Sequence, residues 1–166
     1  MAAKSISTSP VRKPVTGTVQ RVGRLQKVSV DDANTASADL RITLTGGTAG
    51  TRTQAEFVVT LNTRVGNEGT AQLIDETAGS PPVSARKSGN KYVFGPVQFE
   101  EPGPMAHRVI RITNLRGNAN QLGVSSTLIP TQIVANISIS TPNAISLVDA
   151  KQAVAFVERA SRAGAR

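Results

Sequence analysis

A single imidazole, His107, is available to this chain, and there is no cysteine. A Ser–His–Asp relay needs an imidazole that is oriented by a carboxylate and touches a hydroxyl. His107 stands directly before an apolar-alternating run, and no Gly-x-Ser-x-Gly elbow supplies a nucleophile, so it reads as an ordinary strand-entry histidine. One imidazole without a thiolate excludes His- and Cys-built metal sites. The acids Asp75, Glu76, Glu100 and Glu101 offer oxygens to a hard cation. Neighbouring side chains of a strand point to opposite faces, however, and no Asp-x-Asp-x-Asp-Gly loop is present, so these acids are expected to be solvated in loops. Residues 46–51 (GGTAGT) have glycine enough to approach a phosphate but lack the Lys-Ser/Thr ending and the following helix of a P-loop. They read as a hairpin connection. The sequon Asn136-Ile137-Ser138 falls within a predicted strand and is not expected to carry glycan. No catalytic residue, cofactor or metal ligand is assigned.

The charge distribution says more. Residues 1–30 hold Lys4, Arg12, Lys13, Arg21, Arg24 and Lys27 and no acid; residues 31–150 hold nine bases and ten acids; residues 151–166 hold four bases and one acid. The net +8 therefore sits at the two ends of a near-neutral body. Such ends meet a polyanion or a neighbouring copy. Arg12, Lys13, Arg21, Arg24, Lys27, Arg159 and Arg162 are the candidate contacts. The first 30 residues contain no aromatic side chain for base stacking, and their charges are dispersed among Thr and Val.

The elements that would position these residues are strands. Leu40, Ile42 and Leu44 alternate with Arg41, Thr43 and Thr45. Similar runs occupy 54–62, 70–75, 91–100 (with a turn at Gly95-Pro96), 107–115 and 131–140, while 77–90 is expected to be a loop. Gly or Pro separates them at intervals of about 8–12 residues, the spacing of an all-β sandwich or barrel. The expected fold is an antiparallel β-sandwich, Greek-key or jelly-roll-like. An extended basic arm (1–30) precedes a body (31–160) and a basic tail (161–166). Residues 149–160 fit either a helix capped by Asp149 or a last strand. With four Phe, one Tyr and no Trp, the core is expected to be Val, Ile, Leu and Ala. No apolar run approaches the roughly 18 residues of a membrane helix, and no hydrophobic signal segment follows Met1.

The stretch 108–140 (RVIRITNLRGNANQLGVSSTLIPTQIVANISIS), with QAVAFV at 152–157, LTGGTAGTRTQAEFVVTLNTRV at 44–65 and QLIDE at 72–76, resembles a recurring module of secreted acidobacterial proteins. The resemblance covers residues 38–158. It implies an extracellular, non-catalytic β-sandwich and brings no catalytic residues. The chain departs from the family in having neither cysteines nor a signal peptide, and its 76–92 loop is short.

These readings converge on a non-enzymatic structural subunit that assembles with copies of itself into a fibre, layer or shell, with no small-molecule substrate. In this view residues 16–30 add a strand to a neighbour, and deleting residues 1–15 or 1–30 leaves a folded monomer. The alternative is a viral coat protein in a virion, its basic ends holding nucleic acid.

Overall fold

The computed structural model describes residues 13–29, 38–66, 70–119, 131–142 and 144–158. Among them run twelve strands: β1 (Val15–Val22), β2 (Gln26–Ser29), β3 (Ala38–Gly46), β4 (Arg52–Leu61), β5 (Gln72–Asp75), β6 (Val83–Ser84), β7 (Arg86–Ser88), β8 (Lys91–Glu100), β9 (Gly103–Leu115), β10 (Thr131–Ser140), β11 (Ile145–Val148) and β12 (Lys151–Glu158). They form two six-stranded sheets, ordered β11-β1-β3-β9-β5-β6 and β2-β12-β10-β4-β8-β7. The fold is the expected all-β sandwich. Most pairings are antiparallel, but β1 lies parallel to β11 and β2 parallel to β12.

Alternation builds the core. Along β3, Ala38, Leu40, Ile42 and Leu44 are buried between the sheets while Asp39, Arg41, Thr43 and Thr45 face outward. The same rule buries Phe57, Val59 and Leu61 of β4, Ile110 and Ile112 of β9, and Ile133, Ala135 and Ile137 of β10. The expected aliphatic core needs one amendment. Tyr92, Phe57 and Phe94 are among the largest fully buried side chains, and the Phe57 and Phe99 rings pack 6.3 Å apart at 55°. The few aromatics are spent on the centre, where each buries the most surface.

One boundary differs from expectation, and one open choice is settled. Residues 15–29 lie inside the body instead of forming an arm. β1 pairs with β3 over its whole length, Val15 against Gly46 to Val22 against Asp39, and buries Val15 and Val19. The chain then crosses at Gly23 (φ 87°) to the other sheet, where β2 pairs with β12 and buries Val28. The strand character of 16–30 was readable; its acceptor is the chain's own sheet. Of the two readings of 149–160, the structure takes the strand, β12 (Lys151–Glu158). β11 crosses to β12 at Asp149 (φ 58°), and two open sheet edges, those of β10 and β2, claim its backbone hydrogen bonds. Tertiary pairing overrides helix propensity here. The 77–90 stretch carries the short strands β6 and β7, and Lys91–Glu100 is one strand despite Gly95-Pro96.

Each side of the sandwich is closed by chain that changes sheet: β1 to β2 and β11 to β12 on one side, β6 to β7 on the other. The outermost strands are two to four residues long, and Lys27 stands on one of them. Short edges and edge lysines discourage lateral strand addition. The register also defines two poles. The upper pole gathers the start of β1, residues 46–51, the 100–103 link and the end of β10. The lower pole gathers the ends of β4, β9 and β12 and the β7–β8 turn.

Candidate functional site

At the upper pole the glycine-rich loop holds an anion, and the anion is the protein's own. Gly46, Gly47 and Gly50 all have positive φ (96°, 75° and 82°). The loop they shape wraps the side chain of Glu101, which is only 4% exposed. The Thr48 amide donates to Glu101 Oε1 at 2.9 Å, the Gly50 amide to Glu101 O at 3.1 Å, and the Glu101 amide to Thr51 O at 2.8 Å. A Cβ on Gly47 would lie 2.5 Å from Glu101 Oε1. Backbone amides in a tight glycine loop form an anion cradle, and here a carboxylate some fifty residues away in sequence occupies it.

The acids expected in solvent divide between the two faces. Asp75 and Glu101 are buried, while their neighbours Glu76 and Glu100 are exposed. Asp75 Oδ2 accepts from Arg108 Nη1 at 2.6 Å, and Oδ1 accepts from the Thr77 and Ala78 amides at 3.1 Å. Arg108 Nε donates to Glu100 O at 2.6 Å. This buried pair floors a cleft of about 360 Å³ lined also by Arg52, Ser80, Gln98 and Phe99. Because the pair's charges and hydrogen-bonding groups are directed at each other and at nearby backbone, the cleft works as a strut between β5, β8 and β9. On the outer face of the same sheet, Arg111 bonds Asp39 at 2.9 Å and reaches Glu76 at 3.6 Å. The Asp39 hydrogen bond, above the opposing cost of burial, raises the Arg111 pKa and keeps the guanidinium charged. No group of three or more His, Cys, Asp or Glu suited to a metal occurs among the described residues.

His107 is exposed on β9 opposite Thr45. Asn136 and Ser138 project from the outer face of β10. Of the cationic candidates, Lys13 is exposed at the upper pole. Arg21 is built into the sheet crossing, donating to Gly23 O at 3.2 Å and Ala153 O at 3.1 Å. Arg24 and Lys27 are exposed beyond that crossing, toward the lower pole. The eight residues of β1 separate Lys13 from Arg24, roughly 25 Å of strand, so these bases do not make one strip. Arg12, Arg159 and Arg162 lie outside the described residues. The reading of the sequence missed Tyr92, whose hydroxyl donates to Arg116 O at 2.7 Å and accepts from the Arg116 amide at 3.0 Å. It also missed the partnership of Glu101 with the glycine loop.

No family model matches the chain, and no curated protein matches it. Among solved structures, the full-length RrgB pilus protein of Streptococcus pneumoniae aligns with 82% of this chain and 24% of its own at 7% identity, with a TM-score of 0.46. A second structure of that pilus backbone aligns with 80% of this chain and 32% of its own at 8% identity, TM-score 0.45. A non-cellulosomal cohesin of Archaeoglobus fulgidus aligns over 93% and 96% at 4% identity, TM-score 0.45. This chain spans about a quarter to a third of the length of the pilus chains. Likeness at these identities carries no information about what this chain binds.

Proposed function

We propose that the protein is a non-enzymatic structural β-sandwich that joins copies of itself end to end through the segments leaving its two poles. The observation that carries this reading is that the described chain enters the sandwich at one pole and runs out at the other. Lys13 enters β1 at the upper pole and β12 runs out at the lower pole, and the sequence continues beyond these points with Arg12 and with Arg159 and Arg162. The sides, by contrast, are closed by short strands that switch sheets. A contact between unlike ends repeats head to tail and yields a filament or, with curvature, a closed ring. The buried acids serve as internal struts, and His107 stands exposed on a strand, which favours a structural over a catalytic role. The resemblance of residues 38–158 to a secreted acidobacterial module supports an extracellular setting. The coat-protein alternative gains nothing from the dispersed cations of residues 13–27.

Light scattering and negative-stain microscopy of the full chain over a concentration series test the proposal. Oligomers that grow with concentration, and that vanish when residues 1–12 are deleted, are the expected result. A full chain that stays monomeric, or a shortened chain that assembles undiminished, would overturn it.

A further inference from the structure

The two edges of β8 are filled unequally. β4 runs along one edge from Lys91 to Glu100, whereas β7 covers the other only at Lys91–Val93. From Phe94 to Glu100 that second edge carries no strand among the described residues. The 76–85 link passes on this side, yet its described backbone bonds run to Ala71 O, Asp75 O and Val109 O and to β5, none to β8. Pro81 and Pro82 within it offer no N–H to a ladder. The end of β8 shows which groups face the open side. Glu100 O accepts from Arg108 Nε, while the Glu101 amide and carbonyl turn the other way, to Thr51 O and the Gly50 amide. Main-chain groups alternate along a strand, so Gln98 presents its N–H and C=O, and Glu100 its N–H, toward the open edge.

This edge borders the cleft of about 360 Å³ floored by Asp75 and Arg108. The hydrogen-bonding groups left unspent in the cleft are mostly donors. Both Asp75 oxygens are taken, Oδ2 by Arg108 and Oδ1 by two amides. Arg108 spends Nε and Nη1, and its Nη2 makes no described bond. Arg52 Nη2 stands 4.0 Å from Glu100 Oε2, beyond hydrogen-bond length.

We propose that this cleft binds an extended acidic peptide of another protein, which adds to β8 as a further strand in line with β7. A row of unpaired main-chain groups is a template for strand addition, and its bonds require no particular side chain of the guest. A carboxylate on the guest takes the unspent guanidinium donors of Arg52 and Arg108 and gives selectivity. A sugar ring fits less well, because Phe99, the cleft's aromatic residue, is 4% exposed and offers no face for stacking. The chain's own ends match poorly, since residues 1–30 hold no acid and residues 151–166 hold one. This inference does not depend on end-to-end assembly.

Fluorescence anisotropy with the full chain tests it, using fluorescein-labelled Thr-Val-Thr-Asp-Thr-Val-Thr and the same peptide with Lys at its centre. Gln98→Pro removes an edge donor without touching the bonds to β4, and Arg52→Ser removes the exposed guanidinium. Lys91→Ser, at the covered end of β8, is the control. All three positions are exposed, and circular dichroism checks that the variants fold. The expected result is binding of the Asp peptide that shifts the amide NMR signals of Gln98 and Glu100. Affinity should fall about tenfold in each cleft variant and for the Lys peptide, and stay unchanged in the control. No binding, equal affinity for the two peptides, signal changes confined to other strands, or undiminished affinity in either folded cleft variant would overturn the proposal. Should Gln98→Pro not fold, Arg52→Ser decides. Dissolution of oligomers by saturating peptide would also overturn it, and would give the edge to a second copy.

Discussion

Taking a carboxylate out of water is tolerable only when fixed donors replace the lost hydration. Glu101 meets that condition through the loop amide of Thr48, and the loop can close on it because Gly47 has no side chain. Gly47→Ala would place a Cβ 2.5 Å from Glu101 Oε1 and 2.7 Å from Val15 Cγ2, at φ 75°. A loss of about 3 kcal/mol or more is expected from strain and overpacking together. Gly23 has a similar φ of 87° but nothing within 4 Å of an added Cβ, so Gly23→Ala should cost only about 1 kcal/mol. Urea denaturation of the two variants measures the contrast; equal losses would show that contact with Glu101 contributes nothing. Tyr92 supplies a second test. Burial pushes its phenol above the ordinary 10.0 by more than its bonds to Arg116 pull it down. A raised folded-state pKa means that the unfolded chain releases its proton first. The contribution of Tyr92 is therefore complete below pH 10 and is lost as the pH climbs through the folded-state value. Tyr92→Phe removes both bonds to Arg116 and should cost about 2 kcal/mol at neutral pH. It should also flatten the alkaline fall in stability, which melting curves across that range would reveal.

At the level of elements, the two sheet crossings on one side of the sandwich carry the strain. Asp149 turns β11 into β12 at φ 58°, a conformation that Asp, Asn and Gly accept and β-branched residues resist. Asp149→Gly should be nearly neutral, and Asp149→Val should cost about 1–2 kcal/mol in urea denaturation. If the two behaved alike, the backbone at this crossing would not be a constraint. These crossings also mark where the sequence could be read and where it could not. Alternation located β3, β4 and β10 to within about two residues, because one face of each is sealed and a slip would expose it. The same alternation in residues 16–30 was visible, yet it cannot tell an edge of the chain's own sheet from a neighbour's, since both offer the same hydrogen bonds. For residues 149–158, Ala and Val satisfied both periodicities, and only the open edges of β10 and β2 decide for strand. The Glu101 cradle was illegible for another reason. Its donor and acceptor are 53 positions apart, and local spacing carries no trace of such a pair.

For the whole molecule, the question is how much of the chain the sandwich needs. β1 and β2 bury Val15, Val19 and Val28, worth roughly 5 kcal/mol of transfer free energy together. Their removal would also strip β3 and β12 of a hydrogen-bonded partner along one edge. Arg21 and Gln152 tie the two crossings together through Ala153 O and Val19 O, and those contacts would go as well. Against a typical total of about 5–15 kcal/mol, that loss exceeds what a domain of this size can spare. Deleting residues 1–29 should therefore abolish the cooperative thermal transition. Deleting residues 1–12 should leave it in place, because the first described contact of the body is the Gly47 amide on Pro14 O at 2.9 Å. Calorimetry of the two truncations measures the difference. A folded protein lacking residues 1–29 would mean that β1 and β2 are appendages able to pair with any edge, which would return them to the role of a strand lent to a neighbour. An unfolded one would show that β1 and β2 belong to the sandwich itself, whose described chain starts at the upper pole and ends at the lower.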